Sequence, residues 1–372
     1  MSPPPEAIEP LRPLPLPGLP ASKVAGVLKA EPEDFVVDEI PLYAPAGEGG
    51  HVWVRIEKRD LATQSAVMRI AEALNLDPTL IGYAGLKDTR AVTRQWLSLE
   101  GASEAAVKAL ALPSITVLEV TRHGNRLKIG HLRGNRFLIR VRGAAGADLN
   151  AVRENLRYLQ KRGLPNWVGE QRFGREGNNL SRGVSILQGD VRRAGQKIPK
   201  RILRLIISAV QSEVFNRVLA RRIDDYDVVR DGDIAWLHRN GACFHVEQAV
   251  NERVRCERFE ISPSGPLPGP RCLAPRGAQA EIEREALAGL FIEAKRFGEV
   301  PGRTNEGARR PLRVPVRDAI VEPCDDGFTI AFELDKGAFA TAVMRELLLE
   351  TAWVGDVEGS TDATGERAGE GE

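Results

Sequence analysis

The sequence predicts an α+β fold, because predicted strands and helices mix without a regular βαβ alternation. Residues 35–40 (FVVDEI) and 51–56 (HVWVRI) are rich in β-branched residues and predict strands, whereas residues 199–222 predict a long helix. The composition, 42% apolar and 28% charged, is that of a globular protein that can bury a core. A chain of 372 residues favours about two domains.

The first half of the chain supplies the clearest element patterns. In the second strand Val52, Val54 and Ile56 alternate onto one face. The helix that follows begins near Thr63 or Ser65 and ends before the Asp-Pro pair at 77–78. Residues 136–142 alternate between apolar residues and arginines, which predicts a strand with one basic face.

The second half of the chain continues the mixture. The long helix starts at Pro199, a favourable residue for a first turn. Its predicted apolar stripe consists of Leu203, Ile207, Val210, Val214 and Val218. Residues 262–277, rich in proline and glycine, predict a loop or an extended excursion. Residues 328–334 predict a strand, and residues 337–350 predict a helix.

Several protein classes are disfavoured by composition. Four cysteines form no Cys-x-x-Cys pair, and five histidines do not alternate with them at ligand spacing, so we expect neither a zinc site nor a disulfide framework. The N-terminal region lacks the apolar segment of a signal peptide, and no apolar run is long enough to span a membrane. A cytoplasmic protein is expected.

Charge is unevenly distributed along the chain, although the formal net charge is only +1. Residues 161–222 hold 14 Lys and Arg against four Asp and Glu, and residues 121–143 hold seven Lys and Arg without an acid. Residues 356–372 hold six acids against one arginine. This asymmetry is typical of a surface that binds a polyanion, although ordinary solvated arginines produce similar counts.

Residues 82–96 (GYAGLKDTRAVTRQW) have some features of a phosphate-binding loop. A P-loop requires G-x-x-x-x-G-K-[ST], so that the lysine and the hydroxyl follow the second glycine directly. In this stretch the two glycines are too close together, and Asp88 stands where the hydroxyl should be. The residues that follow, 92–99, predict a strand rather than a helix. Nucleotide hydrolysis is therefore disfavoured.

The same stretch presents Asp88 on a glycine-rich turn between Lys87 and Arg90. An aspartate with an ordinary pKa of about 3.9 is ionised at neutral pH, and the cationic neighbours are expected to keep it so. An ionised aspartate can act as a nucleophile. From the residues alone, Asp88 is more typical of a turn or capping aspartate than of a catalytic one.

The stretch AGLKDTRAVTRQW resembles the catalytic-aspartate motif of the TruD-type tRNA pseudouridine synthases. Further stretches resemble motifs of this family in the same order, and together they extend over about residues 24–352. They are LKAEPEDFVVDE (28–39), LRGNRFLIRVR (132–142), GLPNWVGEQRFG (163–174) with SAVQSEVFNRVLARR (208–222), and GAFATAVMREL (337–347). Trp167-Val168 replaces the Tyr-Phe that the family usually has after Pro-Asn.

The resemblance implies a pseudouridine synthase catalytic core of the α+β class with an inserted α+β domain. The expected segments are a disordered proline-rich lead (1–20), a first catalytic part (21–162), the inserted domain (163–309), a second catalytic part (310–353) and a disordered acidic tail (354–372). The positively charged stretch of the inserted domain is then the expected tRNA-binding surface.

The resemblance also implies the site residues: Asp88 as the catalytic nucleophile, and Phe35, Asn135 and Phe339 as substrate-binding residues. Extruding a base from an RNA stack costs a few kcal/mol, about what stacking on one or two aromatic faces contributes. An asparagine side chain offers both a donor and an acceptor to a base or sugar. From their residue types alone, the two phenylalanines are more typical of a buried core, and Asn135 fits a turn as well as a substrate contact.

The expected activity is the isomerisation of a tRNA uridine, at position 13, to pseudouridine by an aspartate nucleophile after base flipping. The resemblance implies no metal, nucleotide or redox cofactor, tRNA as the partner, and a monomer. It leaves open whether Asp88 first attacks the sugar or the base ring. The alternative function is a non-catalytic tRNA-binding or RNA-folding module.

Overall fold

A computed structural model of the chain describes residues 8–19, 23–189, 191, 198–301 and 305–349. The chain packs as two compact units, each made of two separate segments. Met1–Leu19 and Lys161–Pro315 form one, called the inserted unit, and Pro20–Gln160 and Val316–Glu372 form the other, called the large-sheet unit. Sequence patterns placed the inserted domain at 163–309. Helices and strands are both present, which confirms the α+β prediction.

Strands and α-helices follow one another along the described part of the chain. The strands are β1 (Phe35–Pro41), β2 (His51–Arg59), β3 (Ile81–Tyr83), β4 (Val92–Glu100), β5 (Ile115–His123), β6 (Leu132–Arg142), β7 (Leu164–Pro165), β8 (Ile234–Leu237), β9 (Cys243–His245), β10 (Ile261–Leu267), β11 (Ala308–Pro311), β12 (Arg313–Val314), β13 (Val316–Cys324) and β14 (Gly327–Asp335). The α-helices are α1 (Thr63–Ala73), α2 (Glu104–Lys108), α3 (Leu149–Arg162), α4 (Asn178–Gln188), α5 (Lys200–Arg221), α6 (Ala249–Glu257), α7 (Gly277–Ala288) and α8 (Ala340–Leu347).

The large-sheet unit is built on an eight-stranded sheet with the strand order β13-β14-β6-β1-β4-β2-β5, and β3 pairs with β4. The neighbours β1 and β4 are parallel, whereas the other pairs are antiparallel. Because β14 pairs with β6 along its whole length, the last segment of the chain shares one sheet with the first.

One face of this sheet packs against α1. Alternate residues of a strand point to the same face, so Val54 and Ile56 of β2 lie beside Leu97 of β4. These side chains are buried together with Val67 and Ile70 of α1. The predicted first helix is confirmed: it begins at Thr63 and ends before the Asp-Pro pair.

The inserted unit packs α4 against the long helix α5. All five residues of the predicted apolar stripe of α5 are buried, which confirms that prediction. The helices approach closely at Gly183, where an added Cβ would lie 2.4 Å from a methyl carbon of Val210. The unit also holds a four-stranded sheet of order β11-β10-β8-β9 and the short β7–β12 pair.

The proline-rich stretch 262–277 begins as a regular strand, β10, rather than as a loop. A central strand forms hydrogen bonds with a neighbouring strand on each side, and a proline lacks the N–H that one of these bonds requires. β10 avoids this conflict because residues 261–263 pair with β8, whereas residues 264–267 pair with β11. Each half of the strand therefore needs hydrogen bonds on only one side.

The two ends of the chain were predicted to be disordered. Residues 8–19 of the lead are described, and they pack within the inserted unit. The N–H of Leu11 donates to Glu213 Oε2 at 3.0 Å, and Leu16 is buried. Residues 1–7 and the predicted acidic tail, 354–372, lie outside the described residues. Within the described part of the chain, no helix is both long and apolar enough to cross a membrane.

Candidate active site

Asp88 lies in the loop between β3 and β4, and 40% of its side chain is exposed. Its Oδ1 accepts a hydrogen bond from Lys29 Nζ at 2.9 Å. The carboxylate is therefore both held by a cation and open to a ligand. A turn aspartate that only capped its own loop would instead accept backbone N–H groups.

The cations that were expected to flank Asp88 along the sequence make their hydrogen bonds elsewhere. Lys87 Nζ turns to Glu39 Oε2, at 2.6 Å, and Arg90 Nη2 donates to the carbonyl oxygen of Ala30. Lys87 and Arg90, which were expected to keep the carboxylate ionised, therefore do not supply the cation that binds it. Neighbours on a turn point in different directions, and the ammonium group on Asp88 comes from Lys29, 59 residues earlier.

Lys29 is held in an uncommon backbone conformation, with φ at 55°. A residue with a Cβ adopts this left-handed region at a cost of about 1 kcal/mol or more, and such residues cluster at functional sites. Its ammonium group also lies 3.9 Å from the centroid of the Phe35 ring. Lys29 therefore joins the predicted nucleophile to a predicted substrate-binding residue.

Phe35 is only 2% exposed, as expected for a core residue. Its ring packs edge-on against Phe137, with centroids 6.0 Å apart, and the ammonium group of Lys29 lies over the ring. In this arrangement Phe35 supports Lys29 rather than offering an open stacking face.

Asn135 lies on β6 opposite Glu39 of β1, in the register of the sheet. Because Glu39 binds the ammonium group of Lys87, a chain of contacts links Asn135 to the Asp88 loop. The side-chain oxygen of Asn135 is buried and has no hydrogen-bond partner among the described residues. An unsatisfied acceptor at such a position favours a ligand donor as its partner.

Phe339 precedes the first turn of α8 as its N-cap residue, and it is 42% exposed. It follows β14 by four residues, and the last residue of β14, Asp335, pairs with Gly134 beside Asn135. Lys29 contacts both Asp88 and Phe35, and strand pairing places Asn135 opposite Glu39, which binds Lys87 of the same loop. The sheet places the start of α8 just after the strand that neighbours Asn135.

Sequence reasoning overlooked Lys58, which is fully buried. Its Nζ donates to the carbonyl oxygens of Asp88, at 2.8 Å, and Leu61, at 2.5 Å. Burial lowers the pKa of Lys58 to about 8, while the charge of Asp88 acts in the opposite direction. A signal was present, since Lys58 continues the alternation of Val54 and Ile56 on β2.

Acids from other segments pair with four of the seven cations of segment 121–143, which itself lacks acids. Arg122 pairs with Glu104. Arg133 and Arg136 both pair with Glu333. Arg142 pairs with Asp34 and Glu31. The local count of charge therefore overstated the basic character of this segment, although its other three cations form no ion pair with a described residue.

The start of α5 retains exposed cations. Lys200 and Arg201 are exposed, as is Arg182 on the packed helix α4, and none of the three forms an ion pair with a described residue. The first turn of α5 contains no acid. Cations at a helix N-terminus oppose the helix dipole, so their placement is unfavourable for stability and favours an anionic partner.

Comparisons with known proteins agree on one family. The family model described as tRNA pseudouridine synthase D (TruD) matches residues 20–196 and 178–347. A protein of that name from Geobacter metallireducens is 40% identical, with 89% of this chain and 96% of the relative covered. Another, from an Anaeromyxobacter species, is 42% identical and covers 87% of this chain and 92% of its own length.

A solved structure from Methanosarcina mazei that carries the TruD name has the same fold. It superposes with a TM-score of 0.74 at 22% sequence identity, and covers 88% of this chain and 94% of that one.

Proposed function

The chain belongs to the TruD family of tRNA pseudouridine synthases, and from this premise we propose that Asp88 is the nucleophile of the reaction. As a member of this family it is an isomerase that converts a tRNA uridine to pseudouridine. The proposal for Asp88 depends on its carboxylate, which is 40% exposed and accepts a hydrogen bond from Lys29 Nζ at 2.9 Å.

In the proposed reaction, the enzyme is bonded covalently to the nucleoside while the uracil changes its orientation. Asp88 attacks either the sugar or the base ring, and the glycosidic C–N bond breaks. The uracil rotates within the site, a C–C bond forms between the sugar and ring carbon 5, and the bond to Asp88 breaks, which returns the free carboxylate. The proton of that carbon leaves and N1 gains one, so the product is an isomer of the substrate. Lys29 holds the carboxylate in place for the attack.

The proposal assigns the holding of the flipped base to Phe339 and Asn135. Phe339, which is 42% exposed, offers the open aromatic face on which a uracil can stack. Asn135 supplies its unpartnered oxygen to an N–H or O–H of the nucleoside. Phe35, which is buried, acts through Lys29 and contacts the base directly only after Lys29 moves.

The substrate is proposed to be the uridine at tRNA position 13. The unpaired cations Arg182, Lys200 and Arg201 of the inserted unit contribute to RNA binding. They are exposed, and acids do not neutralise them in the described residues.

The proposal predicts that Asp88→Asn binds tRNA but forms no pseudouridine. The amide retains the size of the side chain but is not a nucleophile. Unmodified tRNA is incubated with each protein, pseudouridine is derivatised chemically, and reverse-transcription stops are mapped. Asp60→Asn, on a different loop, is the matched control and is expected to modify tRNA at the wild-type rate.

Two results would contradict the proposal in different ways. A variant at Asp88 that forms pseudouridine as fast as the wild type would show that Asp88 is not the nucleophile. Wild-type protein that binds tRNA without modifying it would favour the non-catalytic RNA-binding alternative. Modification at another uridine would overturn position 13 alone.

A further inference from the structure

Lys58 is a buried cation that forms no ion pair with any carboxylate of the described residues. Its residue exposure is 0%, and its Nζ donates to two main-chain carbonyl oxygens, those of Leu61 and Asp88. Burying an ammonium group without a paired carboxylate is unfavourable for folding. A side chain that persists in such a place is a candidate for a functional role.

The surroundings of Lys58 form a polar layer on an otherwise apolar sheet face. Lys58 lies across from Thr93 of β4, and Gln95 lies two residues further along the same face. The hydroxyl of Thr63 donates to Gln95 Oε1 and accepts the N–H of Lys87. Each of these side chains is buried.

This layer, together with Glu39 of β1, forms three hydrogen bonds with the loop that carries Asp88. Lys58 holds the carbonyl of Asp88, Thr63 holds the N–H of Lys87, and Glu39 holds the ammonium group of Lys87. Hydrogen bonds with buried side chains therefore hold the main chain of Lys87 and Asp88. The side chain of Asp88 remains free to face a ligand.

We propose that Lys58 is a positioning residue for the reaction, which fixes the main chain of Asp88 so that its carboxylate meets the nucleoside in a reactive orientation. The proposal rests on the proposed function of Asp88. Lys58 does not touch the substrate. It acts through the carbonyl of Asp88, at 2.8 Å. A misplacement of about 1 Å at a reacting group can reduce a rate by about a hundredfold.

The charge of Lys58 can be titrated in an accessible range. Burial lowers its pKa to about 8, with Lys87 acting in the same direction and Asp88 in the opposite one. These two groups of the β3–β4 loop are the charged groups that face it, whereas its cross-strand neighbours, Thr93 and Ile115, are uncharged. If the ammonium group holds the loop, the rate falls as pH rises through about 8.

The test compares Lys58→Met and Lys58→Gln with the wild type and with Lys108→Met, an exposed lysine on α2. Pseudouridine formation is measured in single turnovers at saturating tRNA on both sides of the Lys58 pKa, together with tRNA affinity and the melting temperature. Lys58→Met is expected to reduce the rate about ten- to a hundredfold with affinity unchanged within about twofold. Lys58→Gln, which can still donate to a carbonyl, is expected to restore part of the rate. Neither variant should show the decline above about pH 8.

A merely structural lysine would give another pattern. Its removal would change the melting temperature and the fraction of folded protein, but the rate per folded molecule and its decline at alkaline pH would stay as in the wild type, which would overturn the proposal. A Lys58→Met variant as active as the wild type would overturn it too, and would leave the function of Asp88 intact. Inactive wild-type protein would overturn both proposals.

Discussion

At the scale of single residues, the site depends on two lysines that reach Asp88 from different parts of the chain. Lys29 meets the carboxylate and Lys58 meets the carbonyl of the same residue. One ammonium group therefore holds the carboxylate that we propose as the nucleophile, and the other holds the backbone that carries it. Because Lys58 is buried and Lys29 has a strained φ of 55°, both depart from what stability alone would favour.

The buried charge of Lys58 lowers the stability of the fold, whereas it is proposed to increase the rate of the reaction. Its pKa falls from 10.5 to about 8 on folding, so below pH 8 it is charged in both states and destabilises the fold by about 3 kcal/mol. Between pH 8 and 10.5 the unfolded chain binds more protons than the folded one, so this contribution makes the fold more stable as pH rises.

We therefore expect the stability gain of Lys58→Met over the wild type to be largest near neutral pH. This gain should shrink as pH rises from about 8 toward 10.5. Urea unfolding of both proteins at several pH values measures the difference in the free energy of unfolding. A difference that does not change with pH would show that the lysine is not buried in its charged form.

At the scale of elements, β6 is central to the site, because it joins β1 to β14 and carries Asn135. Gly134, its neighbour, pairs with Ile40 on one side and Asp335 on the other. A Cβ at Gly134 would lie 2.1 Å from the carbonyl oxygen of Leu334. The close approach of the strands at this point therefore requires glycine.

Gly134→Ala is expected to lower stability by about 1–3 kcal/mol, since overpacking pushes β14 away from β6. The rate of pseudouridine formation should fall as well, because the start of α8 moves with β14. Gly146→Ala is the matched control, because a Cβ there meets no atom within 4 Å. Thermal melting and single-turnover rates measure both effects. Equal stability of the two variants would show that β14 can yield without strain.

At the scale of the whole molecule, ion pairing distinguishes the basic segments that could contribute to the proposed RNA-binding surface. Four of the six arginines of segment 121–143 pair with acids from elsewhere, whereas the cations at the start of α5 have no such partner among the described residues. The net charge of +1 hides this difference, because it sums paired and unpaired groups alike. Steering of a polyanion depends on the unpaired charges.

The triple variant Arg182→Gln, Lys200→Gln, Arg201→Gln is expected to reduce the salt dependence of tRNA binding. Removing one phosphate contact lowers the log–log slope by about 0.7–0.9, so a drop of about 2 is expected. Arg253→Gln with Arg276→Gln is the control, since both arginines are exposed but ion-paired. Affinity is measured between about 50 and 300 mM salt, the range over which phosphate contacts weaken. An unchanged slope would place the RNA on another surface.

Local patterns predicted much of the fold. The strands β1, β2, β4 and β14 and the long helix α5 follow from alternation and from the 3.6-residue stripe, because burial of one face imposes these periods. β10 was not predicted, since prolines usually break a strand unless each half needs only one partner. The partners of Asp88 were assigned to its neighbours in sequence, because pairing across the sheet cannot be read from spacing.

The sequence by itself determined the α+β class, the family resemblance and the residue proposed as nucleophile, because these depend on residue types in short, ordered motifs. Only the tertiary structure decided what surrounds Asp88. Lys29, Glu39 and Lys58 reach its loop through strand pairing between distant segments. Whether a cation is free, paired or buried depends on those long-range contacts, which set its solvation and its charge.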